Sequence, residues 1–265
     1  MKLFFYFLCF TLVTLTSCKQ QNENIITDSL DDLAFFPREC KNIAVFPVQQ
    51  NTEDRRDFYI PKDTLPTSAQ DLLLYVHTTN GDIKAFLKKG QNISTTWLTH
   101  QSLAFKDRFP LAQRNSRLEQ NLTKDAKFRF ESNTRAQTEN GSYSALFNPW
   151  EYRVTGVKDF RIEAMSPLFG QAAGTSLNRY FSIYKMIPKQ VISYRTRSLV
   201  WGYRFKEKLE SIDKWLSLQP MAPPAIIFRL NATPQEVPAR VKFITVLETT
   251  EGNVLRDTTE VDIRR

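Results

Sequence analysis

Arginines and aromatic side chains interleave along residues 194–208: Arg195, Arg197, Arg204 and Lys206 alternate with Tyr194, Trp201, Tyr203 and Phe205. A guanidinium offers paired donors to a carboxylate or phosphate, and the faces of Trp and Tyr stack on sugar rings or cations. Arg195, Arg197, Trp201, Tyr203 and Arg204 are therefore the candidate binding residues, and an anionic glycan is the ligand they suit. A strand pair with its aromatics inward and its arginines in water is the alternative reading of the same stretch. Trp97 and Trp150 read equally as sugar platforms or as core.

Covalent and metal chemistry have less to work with. There are two histidines, His77 and His100, and three cysteines. A His/Cys zinc site takes three or four ligands, so no metal centre is expected. Asp28, Asp31 and Asp32 cluster without the order of a calcium-binding loop. No nucleophile elbow, phosphate loop or dinucleotide fingerprint occurs, and 8 glycines in 265 residues leave little material for one. No cofactor is expected. A glycosidase needs only two placed carboxylates, so a glycan-active hydrolase stands as the alternative to a non-enzymatic role.

Cys18 carries a different chemistry. Lys2 is a short positive start, residues 3–15 form a mostly apolar run too short to span a bilayer, and Leu15-Thr16-Ser17-Cys18 follows. This arrangement resembles the lipobox of bacterial lipoproteins. The resemblance implies cleavage before Cys18, loss of residues 1–17 as a signal peptide, and a diacylglycerol thioether on the Cys18 sulfur. Several buried acyl chains tether a protein permanently, so the implied partner is a membrane reached through the N-terminal lipid. Lys19 stands where some inner-membrane lipoproteins of enteric bacteria carry Asp. Resemblance to the non-Asp pattern implies the outer membrane, with either leaflet open. Cys9 would leave with the signal, and Cys40, left alone beside Phe35, Phe36 and Ile43, is read as a buried structural thiol.

The formal charge is +8, one less once Lys2 is removed. Such an excess favours anionic neighbours, and acidic glycans, lipid headgroups or envelope proteins fit an extracytoplasmic chain. No nucleic-acid module is present and no nucleic-acid partner is expected. An assembly subunit of an envelope complex is a third functional class.

Residues 18–34 are the lipidated cysteine and a polar tether; residues 35–265 read as a single β-rich domain. Residues 71–77 are apolar on both faces, as in a central strand covered on both sides. Asn80-Gly81 before the apolar residues 83–87 signals a hairpin, and Asn140-Gly141 between 127–130 and 143–147 signals another. In residues 158–165 Phe160, Ile162 and Ala164 alternate with charged neighbours, which predicts a half-buried strand. Residues 225–230, 240–247 and 254–263 are β-rich, the last two forming a C-terminal hairpin through Glu251-Gly252-Asn253. Helical spacing of Phe205, Leu209, Ile212 and Leu216 predicts a helix over 205–218, and Ser176 caps a second with Leu177, Tyr180, Phe181 and Tyr184 on one side. Residues 91–124 are polar and carry no clean period. The expected fold is mainly β: an antiparallel β-sandwich, immunoglobulin-like in one form, with one or two short packed helices, and α+β as the alternative.

The lipobox, the polar tether, a strand ending at 159–167, the segment 172–184 and a C-terminal hairpin together resemble a family of uncharacterised lipoproteins from Bacteroidetes. The shared signature is Ala-Gly-Ser/Thr-Ser-Leu-Asn, matched by Ala173, Gly174, Thr175, Ser176, Leu177 and Asn178. The family brings no assigned activity, so the resemblance implies no catalytic residue. Three Asp-Ser/Thr triplets also resemble the O-glycosylation acceptors of Bacteroidetes secretory proteins, making Ser29, Thr64 and Thr258 the candidate acceptors.

Overall fold

The computed structural model describes residues 35–50, 58–61, 66–85, 92–93, 109–137 and 150–265. Cys18, Ser29, Thr64, Trp97 and His100 lie outside them, as do Asn140-Gly141 and 143–147.

The chain is mainly β, and its sheets are predominantly antiparallel. A six-stranded sheet runs in the order β6 (Asn92–Ile93), β3 (Phe58–Tyr59), β2 (Asn42–Gln50), β5 (Leu73–Thr79), β12 (Ala225–Leu230) and β9 (Phe181–Ile187). A four-stranded sheet runs β4 (Thr67–Ser68), β14 (Val254–Arg264), β13 (Ala239–Thr249) and β8 (Val157–Ala164). Two smaller pairs complete the set. β1 (Phe35–Arg38) runs parallel to β7 (Trp150–Arg153), and β10 (Val191–Ser193) forms a hairpin with β11 (Ser198–Trp201). The described helices are α1 (Ser116–Gln137) and α2 (Ile212–Ser217).

The two large sheets share one core, which makes the architecture sandwich-like. Phe160 of β8 stacks on Phe228 of β12 at 4.9 Å and meets Trp215 of α2 edge-on at 5.8 Å. Phe243 of β13 meets Phe181 of β9 edge-on at 5.8 Å. Interdigitated rings of this kind each contribute about 1.5–3 kcal/mol by leaving water. Asp257 adds a polar tie between the sheets: its carboxylate accepts from Val45 N of β2 at 2.7 Å and from Lys84 Nζ at 2.6 Å.

The strand expectations hold where one face meets this core. β8 alternates buried and partly exposed residues, and β13–β14 is the predicted hairpin, with Thr259, Val261 and Ile263 buried. β5 is buried at every residue, because a second apolar layer containing Ile60, Ile83 and Phe109 covers the other face of its sheet. Cys40 is buried as expected.

Four local expectations are corrected. Asn80-Gly81 does not open a hairpin: both edges of β5 are already paired, to β2 and β12, so the chain has no edge to join. It turns instead through Lys84 N on Asp82 Oδ1 and drops Ile83 into the second layer. The segment 127–130 is not a strand but part of α1, whose 22 residues make it no short helix. The helix predicted over 205–218 is cut to six residues, since Ser211 caps it through Lys214 N and the chain before Ser211 turns at Gly202–Phe205 and runs on without regular structure. The helix predicted from Ser176 is a single 3-10 turn, Asn178–Tyr180, leading into β9. Phe181 and Ile183 satisfy a strand period there, and pairing with β12 outweighs the helical reading of so short an apolar run.

Candidate binding cleft

Strand alternation on β7 separates two environments. Glu151 and Arg153 point to one side, Tyr152 to the other. On the first side lies a buried charged cluster. Arg38, at the end of β1, is 1% exposed; its Nε lies 3.4 Å from Glu151 Oε1 and its guanidinium donates to Phe109 O. Arg153, equally buried, donates to Glu151, to the Thr78 carbonyl and to Thr78 Oγ1. Two guanidinia therefore flank one carboxylate. His77 shares a 3.2 Å hydrogen bond with Tyr75 Oη nearby. Burial, reinforced by Arg153, pushes the His77 imidazole down to about 3, so it is neutral. Burial likewise pushes the Cys40 thiol up to about 12, which removes it as a nucleophile at neutral pH.

On the second side is an open cleft of about 670 Å³. Its walls come from the segment before α1 (Ala112, Gln113, Arg114, Asn115), from Tyr152 and Val154, and from Arg197 on the β10–β11 hairpin. The buried cluster holds that first wall in place: Arg38 grips Phe109 O while Ala112 N donates to Pro37 O of β1. Asn115 caps α1, its Oδ1 accepting from Leu118 N at 3.0 Å. Glu119, only 5% exposed, accepts two-point donation from Arg114 and one hydrogen bond from Tyr152 Oη at 3.0 Å. Burial first, then the adjacent Glu119 carboxylate, pushes the Tyr152 phenol up to about 12, so it remains a neutral donor. Leu118 and Met221 provide an apolar floor.

The five sequence-derived binding residues do not make one surface. In the β10–β11 hairpin Ser193 faces Ser198 near the turn and Val191 faces Trp201 at the base, about 7 Å away along β10 and about 10 Å along β11. Arg195 and Arg197 sit in the turn; Trp201, Tyr203 and Arg204 sit at the other end. Trp201 is buried, its indole N–H donating to Glu207 O at 3.1 Å and its ring lying under the Lys189 ammonium, so it offers no open platform. Arg195 and Arg204 stand exposed. Tyr203 N and Arg204 N both donate to the Asp125 carboxylate, which is fully buried in α1 and also accepts from Gln190 Nε2. Gly202 is required beside it: a Cβ there would lie 2.5 Å from Asp125 Oδ2. Of the five, Arg197 alone lines the cleft.

The Ala173–Asn178 signature also proves structural in its described contacts. Gly174 N and Leu177 N donate to carbonyls of β8, and the Asn178 amide accepts from Ile162 N at 3.0 Å and donates to Phe160 O at 2.7 Å. The segment thus covers the outer edge of β8, an edge that would otherwise be open to pairing. Thr258 is exposed on β14, whereas the preceding Asp257 is engaged by Val45 and Lys84. Trp150 opens β7 opposite Phe35. Among the described residues no group of three His, Cys, Asp or Glu side chains could hold a metal ion, and no helix is long and apolar enough to cross a membrane.

Residues of the cleft that the sequence did not single out include Gln113, Arg114, Asn115 and Tyr152, with Glu119 behind them as the partner of Arg114 and Tyr152. Asn115 with Leu118, Leu122 and Ala126 at helical spacing was the available signal for their helix. Compared with known protein families, curated proteins and solved structures, the chain matches none.

Proposed function

We propose that this chain is an outer-membrane lipoprotein, anchored through a lipid on Cys18, whose β-rich domain works as a binding or structural accessory rather than by covalent catalysis. The observation that carries the reading is the apolar leader ending in Leu15-Thr16-Ser17-Cys18, followed by a polar stretch and then a folded domain. The likeness of residues 173–178 to the Bacteroidetes lipoprotein signature supports the same assignment. The binding role draws support from the cleft, which offers amides, guanidinia and an apolar floor, while Cys40 and His77 are buried and electrically neutral. Anionic glycans or envelope proteins are the partners suited to a basic chain in that compartment.

A glycan-active hydrolase is the second reading, and Glu39 on the cleft wall is what favours it. Glu39 pairs with Lys41 at 2.6 Å, and the nearby Glu119 is committed to Arg114 and Tyr152, so neither is poised as a free acid or base.

The test compares the full-length protein with Cys18→Ala in its native type of host. The wild type is expected in the outer-membrane fraction and the variant in the soluble fraction. Identical partition of the two would overturn the anchor and everything that follows from it.

A further inference from the structure

Arg197 is set apart from Arg195 and Arg204 by its backbone, and from Arg114, the other arginine of the cleft, by its charge. Its φ is +52°, a left-handed conformation that glycine or asparagine adopts at less cost. The turn holds it there through Arg197 N donating to Ser193 O at 2.9 Å. The side chain that this strained position presents is fixed in turn, with Nη1 donating to Val154 O at 2.9 Å on the cleft wall. One guanidinium has five N–H donors, so most of them remain for a ligand. Strain retained by a non-glycine residue at a cleft is the kind of outlier from which a functional role is argued.

The charges around the cleft do not cancel. Glu119 offsets Arg114, and Lys41 offsets Glu39, at 2.7 Å and 2.6 Å respectively. Among the described residues no carboxylate pairs with Arg197, which leaves its guanidinium as the surplus charge. Beside it and among the described residues, Gln113 makes no side-chain hydrogen bond, and the Asn115 amide uses only its oxygen, on Leu118 N. Leu118, Val154 and Met221 add apolar lining to the same cleft. The volume of about 670 Å³ is in the range of small-ligand sites, roughly 300–1,000 Å³.

We infer that this cleft binds a carboxylated saccharide, with the carboxylate on the Arg197 guanidinium, the hydroxyls on the amides of Gln113 and Asn115, and a sugar face on the apolar floor. The assignment rests on the binding role proposed above and names its ligand class. A bidentate guanidinium–carboxylate contact supplies orientation as well as affinity, and neutral amides with both donors and acceptors suit sugar hydroxyls.

The experiment is a calorimetric titration of the full chain in detergent with trigalacturonate, with maltotriose as the uncharged comparison, at low and moderate salt. Saturable trigalacturonate binding at least tenfold tighter than maltotriose binding is expected, weakening as salt rises. Arg197→Gly keeps the left-handed backbone and removes the side chain; it is expected to lose at least tenfold in affinity. Asn115→Asp keeps the helix cap and sets a negative charge against the ligand, with a similar loss expected. Arg195→Ala, in the same turn and outside the cleft, is expected to stay within twofold of wild type. Absence of saturable trigalacturonate binding overturns the inference. Wild-type affinity in both Arg197→Gly and Asn115→Asp also overturns the cleft assignment, while leaving a binding role at another surface intact. Failure of the anchor would show instead in the partition of Cys18→Ala, a readout independent of this titration.

Discussion

Glu151 is the residue on which the interior depends most sharply. It is 7% exposed and stands between the guanidinia of Arg38 and Arg153, both 1% exposed. Breaking a buried ion pair costs more than the pair is worth, because the remaining charge stays desolvated without a counter-charge. Glu151→Gln would leave two such cations facing each other and is expected to lower stability by about 3–5 kcal/mol, read from the urea unfolding midpoint. A loss below about 1 kcal/mol would mean that carbonyls alone, such as those of Phe109 and Thr78, suffice for the two arginines. None of this was legible in the sequence. Arg38 lies more than a hundred positions before Glu151 and Arg153, and all three look like ordinary surface charges; only the parallel pairing of β1 with β7 brings Arg38 to the other two. Arg197 illustrates the converse. Its type and its aromatic neighbours drew notice, but the companions that matter, Gln113, Arg114 and Asn115, come from a segment more than eighty positions away in sequence.

Elements were legible in proportion to how simply their buried face is made. β5, β8, β12, β13 and β14 bury apolar residues at period two or on both faces, and each was readable in advance. Helix α1 was not, for a physical reason. Its buried side carries Glu119 and Asp125 beside Leu118, Leu122 and Ala126, so two acids that are satisfied by tertiary partners dilute the apolar stripe. The edge cover of β8 was legible as a signature without its meaning. Asn178 supplies in one side chain the acceptor and donor that a neighbouring strand would supply. Asn178→Ala removes both while leaving Leu177 N on Ile162 O, and is expected to cost about 1–3 kcal/mol. The distinguishing readout is amide hydrogen exchange at Ile162, which should quicken relative to Val246 on the paired strand β13. Unchanged protection at Ile162 would show that the β8 edge does not rely on this amide.

At the scale of the whole molecule, the groups that look reactive in the sequence serve the interior, and this fixes how stability responds to acid. His77 sits in a strand buried on both faces, within the field of Arg153 and Arg38 and of the opposing Glu151. Its imidazole is held down to about 3 in the folded chain, against an ordinary 6.5 when unfolded. The unfolded chain therefore takes up this proton first as the pH falls. The stabilisation is complete above pH 6.5 and is lost progressively between 6.5 and about 3, amounting to roughly 4 kcal/mol over that window. Carboxylates titrate only in the lower part of the same range, so the loss between pH 6.5 and 5 is the part that belongs to the histidine. His77→Gln keeps a hydrogen-bonding group beside Tyr75 and cannot take a proton. Its stability, measured by urea unfolding at a series of pH values, is expected to stay nearly level from pH 6.5 to 5, where the wild type already declines. Parallel declines in the two proteins over that interval would mean that the imidazole is reachable by protons in the folded state, and that the strand it occupies is not sealed from water.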